Sequence, residues 1–196
     1  MLTFAAAVFF LLVTPGPGVL STAGVGAAFG GRAGFRYVLG LFIGTNIVAV
    51  AVISGVAAVV LADPRIRTIL LIASTAYLLY LAFRIATAGS RVAFIEAARR
   101  PGIRDGLALQ AVNPKAYAVN TVLFSGFPIL AGAPVAEAVV KLAIVNAIWV
   151  PIHLLWLWAG VTLRRLDPPA RVQRGINIAM AVSMLLVVGL ALWNMP

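Results

Sequence analysis

At 196 residues, with 63% apolar residues, 10% charged residues and a mean hydropathy of +1.07, the chain cannot clothe a water-soluble surface; soluble domains usually carry about 25% charged residues. The net charge of +10 does not indicate nucleic acid, because most of the basic residues fall in short segments between apolar runs, where they orient helices and meet anionic headgroups. The absence of Cys excludes disulfides, thiolate metal sites and thiol nucleophiles.

Six membrane-spanning helices are predicted, over residues 2–25, 37–62, 66–86, 106–131, 136–163 and 175–193. The runs 38–61 and 172–193 are each long enough to cross a hydrocarbon core of about 30 Å. Residues 2–13 have the length of a signal-peptide core, but no Lys or Arg precedes them and apolar sequence continues to Phe29, so the first span is read as retained. It contains Thr14-Pro15-Gly16-Pro17-Gly18. Two prolines without an N–H, alternating with two glycines, break a helix and free backbone carbonyls at membrane depth. Such groups must face protein, water or a ligand.

The second span carries Thr45 and Asn46, and the third Ser74, Tyr77 and Arg84; Tyr77 and Arg84 are seven apart and share a face. Small residues between Gly24 and Gly44, including Gly40 and Gly44 one turn apart, allow close helix contact or a homodimer. The connection to the fourth span holds Arg91, Glu96, Arg99, Arg100, Arg104 and Asp105, with Pro101-Gly102 as a breaker. Its apolar patch, 92–95, is read either as lying on the membrane surface or as disordered.

The fourth span contains Asn113-Pro114-Lys115. Lys115 is about nine residues in, roughly 13 Å along a helix, and an ammonium at that depth usually marks a functional site. Either Lys115 snorkels to the interface, or a helix starts at Pro114 with Asn113 as its cap. The second arrangement presents N–H donors and a positive dipole end to an anion, and with Lys115 makes a carboxylate-binding corner. The fifth span has Asn146 and His153, with Pro151 between them as a kink. His153 is the sole His; a hydrogen-bonded core role is favoured over proton coupling. Trp149, Trp156, Trp158 and Trp193 are read as interfacial anchors or lipid-facing packing, and the sixth span as scaffold.

Eleven basic residues fall in or beside the 1–2, 3–4 and 5–6 connections, with Arg32 and Arg36 in the first; only Arg65, Arg67 and Lys141 fall on the other side. The rich side is cytoplasmic and both termini lie outside. Residues 1–88 and 106–196 then form halves of opposite orientation, joined by a cytoplasmic loop, 89–105, within one transporter domain. The expected fold is all-α, six transmembrane helices in two inverted three-helix repeats. Helix breaks at matching places in inverted halves point to a substrate site, and here they are Pro15-to-Gly18 and Asn113-to-Lys115.

No Walker-type phosphate loop, metal-spaced cluster or Ser/His/Asp set occurs, and Asp63 and Glu137 sit at span ends. The sequence therefore reads as neither an enzyme nor an ATP-driven pump, and calls for no cofactor and no metal.

Three motifs carry a resemblance: TPGPGVL followed by GGRAGFRYVLGLFIG, AYLLYLAFR closing the third span, and DGLALQAVNPKA opening the fourth. In these, and in length and helix order, the chain resembles the LysE family of lysine/homoserine/threonine exporter-type proteins. The run LFSGFPIL departs from the usual pattern. The resemblance implies proton-driven efflux of amino acids or related metabolites across the bacterial cytoplasmic membrane. It places Pro15, Gly16, Pro17, Asn113, Pro114 and Lys115 in signature elements. Asn46 stands where relatives carry a polar or His residue, so no proton role transfers to it. The residues expected to bind substrate are Thr14, Pro15, Gly16, Pro17, Gly18, Asn46, Tyr77, Asn113, Pro114 and Lys115, with Lys115 and His153 as candidates for proton coupling. Expected partners are a small-molecule substrate and membrane lipid, with no nucleic acid. An exporter of another small anion or metabolite, and a membrane subunit whose broken helices only pack, remain alternatives.

Overall fold

The computed structural model describes residues 1–14, 16–55, 100–130 and 132–166, with scattered positions between 57 and 83 and between 169 and 182. Pro15, Tyr77, Arg84, the 92–95 patch, Trp193 and most of the third and sixth predicted spans lie outside the described residues. Those that are described contain helices and no strand.

The first predicted span is two helices, α1 (Leu2–Val13) and α2 (Pro17–Phe29), inclined by 52°. Helix α1 is apolar apart from Thr3 and stops where Thr14 leaves helical geometry, its hydroxyl donating to the Phe10 carbonyl at 2.6 Å. Helix α2 begins at Pro17, whose missing N–H costs nothing at a first helical position. It ends at Gly30, where a φ of 84° suits glycine.

Helix α3 (Gly31–Ile53) starts directly after that residue, six positions earlier than predicted. Arg32 and Arg36 therefore lie in its first two turns, not in a loop. The reason is that Gly30 alone makes the reversal, leaving no connection for the arginines to occupy. Helix α3 ends at Ser54 and Gly55, the latter at φ 77°, well short of the predicted end at 62.

The fourth predicted span is also broken, into α4 (Ile103–Val112) and α5 (Pro114–Gly126). Asp105 accepts the Gly102 N–H at 2.8 Å and fixes the entry to α4. Asn113 terminates α4 and caps α5, its side chain accepting the Lys115 N–H at 3.1 Å. Helix α6 (Pro134–Arg165) runs 32 residues through Pro151 without ending. By length and hydropathy α3 and α6 each qualify as membrane spans, and α1 with α2 makes a third as one bent pair.

Helix α6 packs along α2, and α3 along α4, with α3 also touching α2, α5 and α6. Glycine sets both close contacts. A Cβ on Gly106 would overlap the Tyr37 carbonyl, one on Gly40 the Ile103 carbonyl, and one on Gly160 the Ala23 carbonyl. The Gly40/Gly44 stripe is thus used within the chain, against Ile103 and Gln110. Two apolar clusters flank the breaks: Tyr37, Leu41, Leu109, Trp149 and Leu157 on one side, Phe4, Val8, Leu123 and Val145 on the other. Phe10, Ile47, Val139, Leu155 and Trp158 are exposed and form the kind of apolar exterior that lipid covers.

Arg32, Arg36, Arg100 and Arg104 gather at one end of this bundle, and at the same end Arg164 donates to the Ala28 carbonyl. Lys141, by contrast, is buried near the end of α3 opposite to Arg32, paired with Glu137 at 2.7 Å and donating to the Phe124 carbonyl at 3.2 Å. Glu137 also accepts the N–H groups of Ile129 and Leu130 at 3.1 and 2.8 Å, tying the α5–α6 connection to α6.

Candidate substrate site at the two helix breaks

The two breaks meet. Lys115 Nζ donates to the Thr14 carbonyl at 2.6 Å, joining residues 101 positions apart. Each side of this bond follows from local sequence. Thr14 ends a helix ahead of a proline-rich segment, so its carbonyl has no intrahelical donor. Lys115 stands in the first turn of α5, where its side chain reaches back past the helix start. Gly16 makes room for it: a Cβ there would lie 2.8 Å from Lys115 Cδ and 3.0 Å from Nζ.

Beside the bond is a cavity of about 50 Å3. Its polar lining comes from Thr14, Gly16, Gly18, Thr45, Gln110, Asn113, Lys115, Asn120 and His153, and leucines and valines complete it. A single water needs about 10–15 Å3 by this kind of measure, so the space holds a few waters and is too small for an amino acid.

The donors and acceptors are unevenly spent. Asn113 donates to Gln110 Oε1 at 3.0 Å and caps α5, so the α5 start offers fewer free N–H groups than a bare helix end. The first turn of α2 lines the cavity too: the Gly18 and Val19 N–H groups have no acceptor among the described residues. Asn120 donates to the Ala116 carbonyl at 2.7 Å. The Gln110 amide nitrogen, the Asn120 amide oxygen and the Thr45 hydroxyl have no partner among the described residues, although all three side chains are buried. Buried polar atoms left unpaired in a cavity wall are open to a ligand or water.

His153 has the hydrogen-bonded core place that the sequence favoured. It is buried, its Nδ1 bonds the Trp149 carbonyl at 3.0 Å, and it also lines the cavity. Its Nε2 would be 3.4 Å from a Cβ on Gly18. Trp149 is not an interfacial anchor: it is 2% exposed and stacks on His153 with ring centroids 3.5 Å apart. Trp158, at 65% exposed, does face outward.

Of the predicted substrate residues, Thr14, Gly16, Gly18, Asn113 and Lys115 line this one cavity. Pro17 and Pro114 open α2 and α5 as first-turn residues and do not line it. Asn46 is elsewhere, exchanging two hydrogen bonds with Asn146 at 3.1 and 2.8 Å, while its neighbour Thr45 faces the cavity. Pro15 and Tyr77 lie outside the described residues. Gln110 and Asn120 went unread in the sequence. Their spacing from Asn113, three before and seven after, was the available signal, because it keeps all three on one helical face. Among the described residues no group of His, Asp and Glu could hold a metal.

A chain that is helical throughout its described residues, apolar on its surface, and whose two broken helices turn polar groups into one cavity is built as a membrane-embedded translocator. The family model for LysE type translocators matches residues 9–195, and the chain belongs to that family. Membership makes it an exporter of amino acids or other small molecules. No curated protein and no solved structure matches it.

Proposed function

We propose that the chain is a secondary active, proton-coupled exporter of amino acids or closely related metabolites across the bacterial cytoplasmic membrane. In this reading it has six spans, arranged as two inverted three-helix repeats that rock about the cavity. The observation that carries the reading is the Lys115–Thr14 bond, which links the two helix breaks at the wall of a cavity lined by both. A zwitterion has the charges to replace that bond. Its ammonium takes the Thr14 carbonyl, and its carboxylate takes Lys115 with the N–H groups of Gly18 and Val19. The cavity's described walls contain no carboxylate, which favours a substrate without a strongly cationic side chain.

The test is export of a toxic amino-acid analogue by cells producing the wild type or Lys115→Ala, with membrane insertion checked by fractionation. Wild type confers resistance and Lys115→Ala does not. Equal resistance in both removes the site, and no resistance from wild type across a substrate panel removes the amino-acid reading. Competition by small organic anions that lack an ammonium separates the anion-exporter alternative.

A further inference from the structure

The arginine-rich end of the bundle carries a second cavity, a groove of about 590 Å3 that shares no lining residue with the transport cavity. Arg32 and Arg36 reach it from the start of α3, and Arg100 and Arg104 from around the start of α4. None of these four guanidinium groups has a hydrogen-bond or ion-pair partner among the described residues. The acid in the first turn of α4, Asp105, is engaged with the Gly102 N–H at 2.8 Å. The N–H groups of Ile103 and Arg104 open α4 without intrahelical acceptors, and the helix dipole adds positive potential there. Four like charges held around one concavity repel one another unless an anion lies between them.

Guanidinium groups match phosphate oxygens in paired, planar contacts. The groove lies at the helix ends on the arginine-rich side, which is headgroup depth for a membrane-embedded bundle. It also adjoins the tightest contact between α3 and α4, where Gly40 meets Ile103 and Gly106 meets Tyr37. We infer that this groove is a phosphate-binding site, filled by the headgroup of an anionic phospholipid that ties the start of α3 to the start of α4. The inference is independent of the transported substrate. It assigns to four particular arginines a task beyond setting orientation.

The test is thermal unfolding of the purified full chain in a neutral detergent, titrated with phosphatidylglycerol, phosphatidylcholine or inorganic phosphate. Phosphatidylglycerol near saturation should raise Tm by about 5–10 °C, and phosphatidylcholine should not. Arg36→Gln/Arg104→Gln should lose the shift. Arg171→Gln/Arg174→Gln, which removes the same charge elsewhere, should keep it. Native mass spectrometry of wild type and of Arg32→Gln, counting retained anionic lipid, gives a second readout if the double variant does not fold. No shift in wild type, or equal loss in both double variants, overturns the site. An equal shift with inorganic phosphate overturns the lipid assignment in favour of a soluble phosphate.

Discussion

Replacing Gly16 by Ala perturbs the site without touching a charge. Gly16 has φ −159° and ψ 178°, extended backbone that alanine adopts freely, so the substitution carries no conformational strain. The new Cβ, however, would sit 2.8 Å from Lys115 Cδ and 3.0 Å from Nζ. The lysine side chain is flexible and swings aside cheaply, but then it leaves the Thr14 carbonyl. A hydrogen bond to a charged group contributes about 1.5–3 kcal/mol, and a Gly-to-Ala exchange at a compatible position returns about 0.4–1 kcal/mol through the unfolded chain. The net loss is about 1–2 kcal/mol, or a Tm lower by about 2–8 °C for a chain of this size. In a Lys115→Ala background the three atoms nearest that Cβ are gone, and the same exchange becomes neutral or slightly stabilising. Tryptophan fluorescence melts of the four chains of this double-mutant cycle measure the coupling directly. An equal Tm loss in both backgrounds would show that the cost lies in packing and would refute the lysine bridge as its cause.

Three further outcomes follow from other contacts. Asn46→Leu leaves the Asn146 amide unpaired and should lower Tm by an amount equivalent to about 1–2 kcal/mol, whereas Asn46→Leu/Asn146→Leu should recover most of it; the melts of single and double variants check this. His153→Phe keeps a ring against Trp149 but removes the titrating group. On the proton-coupled reading it abolishes export driven by a pH gradient in proteoliposomes while substrate counterflow persists. Gly106→Val drives a side chain into the Tyr37 carbonyl, which is backbone and cannot give way, so it should cost about 3 kcal/mol or more and abolish the monodisperse peak on size-exclusion chromatography. Gly126→Val, where a Cβ meets nothing within 4 Å, serves as its control.

The helix breaks were legible because their signals are covalent. Proline lacks an N–H wherever it stands, so Pro17 and Pro114 mark helix starts without knowledge of the fold, and Asn113 as a cap follows from its side chain. Lys115 stood out for the same kind of reason, since a charge so deep needs an acceptor. What the acceptor is could not be read, because the Thr14 contact spans 101 residues and depends on how α1, α2 and α5 converge. Trp149 and Asn46 failed for a related reason. A residue's identity says that it prefers an interface or a polar partner, but the rotation of α3 and α6 decides which neighbour it receives. That rotation is set by glycines such as Gly34 and Gly160, where helices approach. The end of α3 was missed because apolar sequence continues through Gly55, and hydropathy does not register a positive-φ turn.

The smallness of the cavity and the lysine bridge belong together. While Lys115 holds the Thr14 carbonyl, its stem packs against Gly16 and there is room only for water. On the proposed reading a substrate enters as that bond opens, and opening leaves one cation and one carbonyl without partners at membrane depth. An anion alone satisfies Lys115 and strands the carbonyl; an amine alone does the reverse. Each stranded group costs about 1–3 kcal/mol, which corresponds to roughly 5- to 150-fold in affinity. A zwitterion leaves neither stranded, so on this reading the bridge that narrows the site also selects what opens it. A ligand shifts a conformational equilibrium only by its differential affinity for the two states, and on the proposed reading that differential comes from the ammonium–carbonyl bond that must be given up.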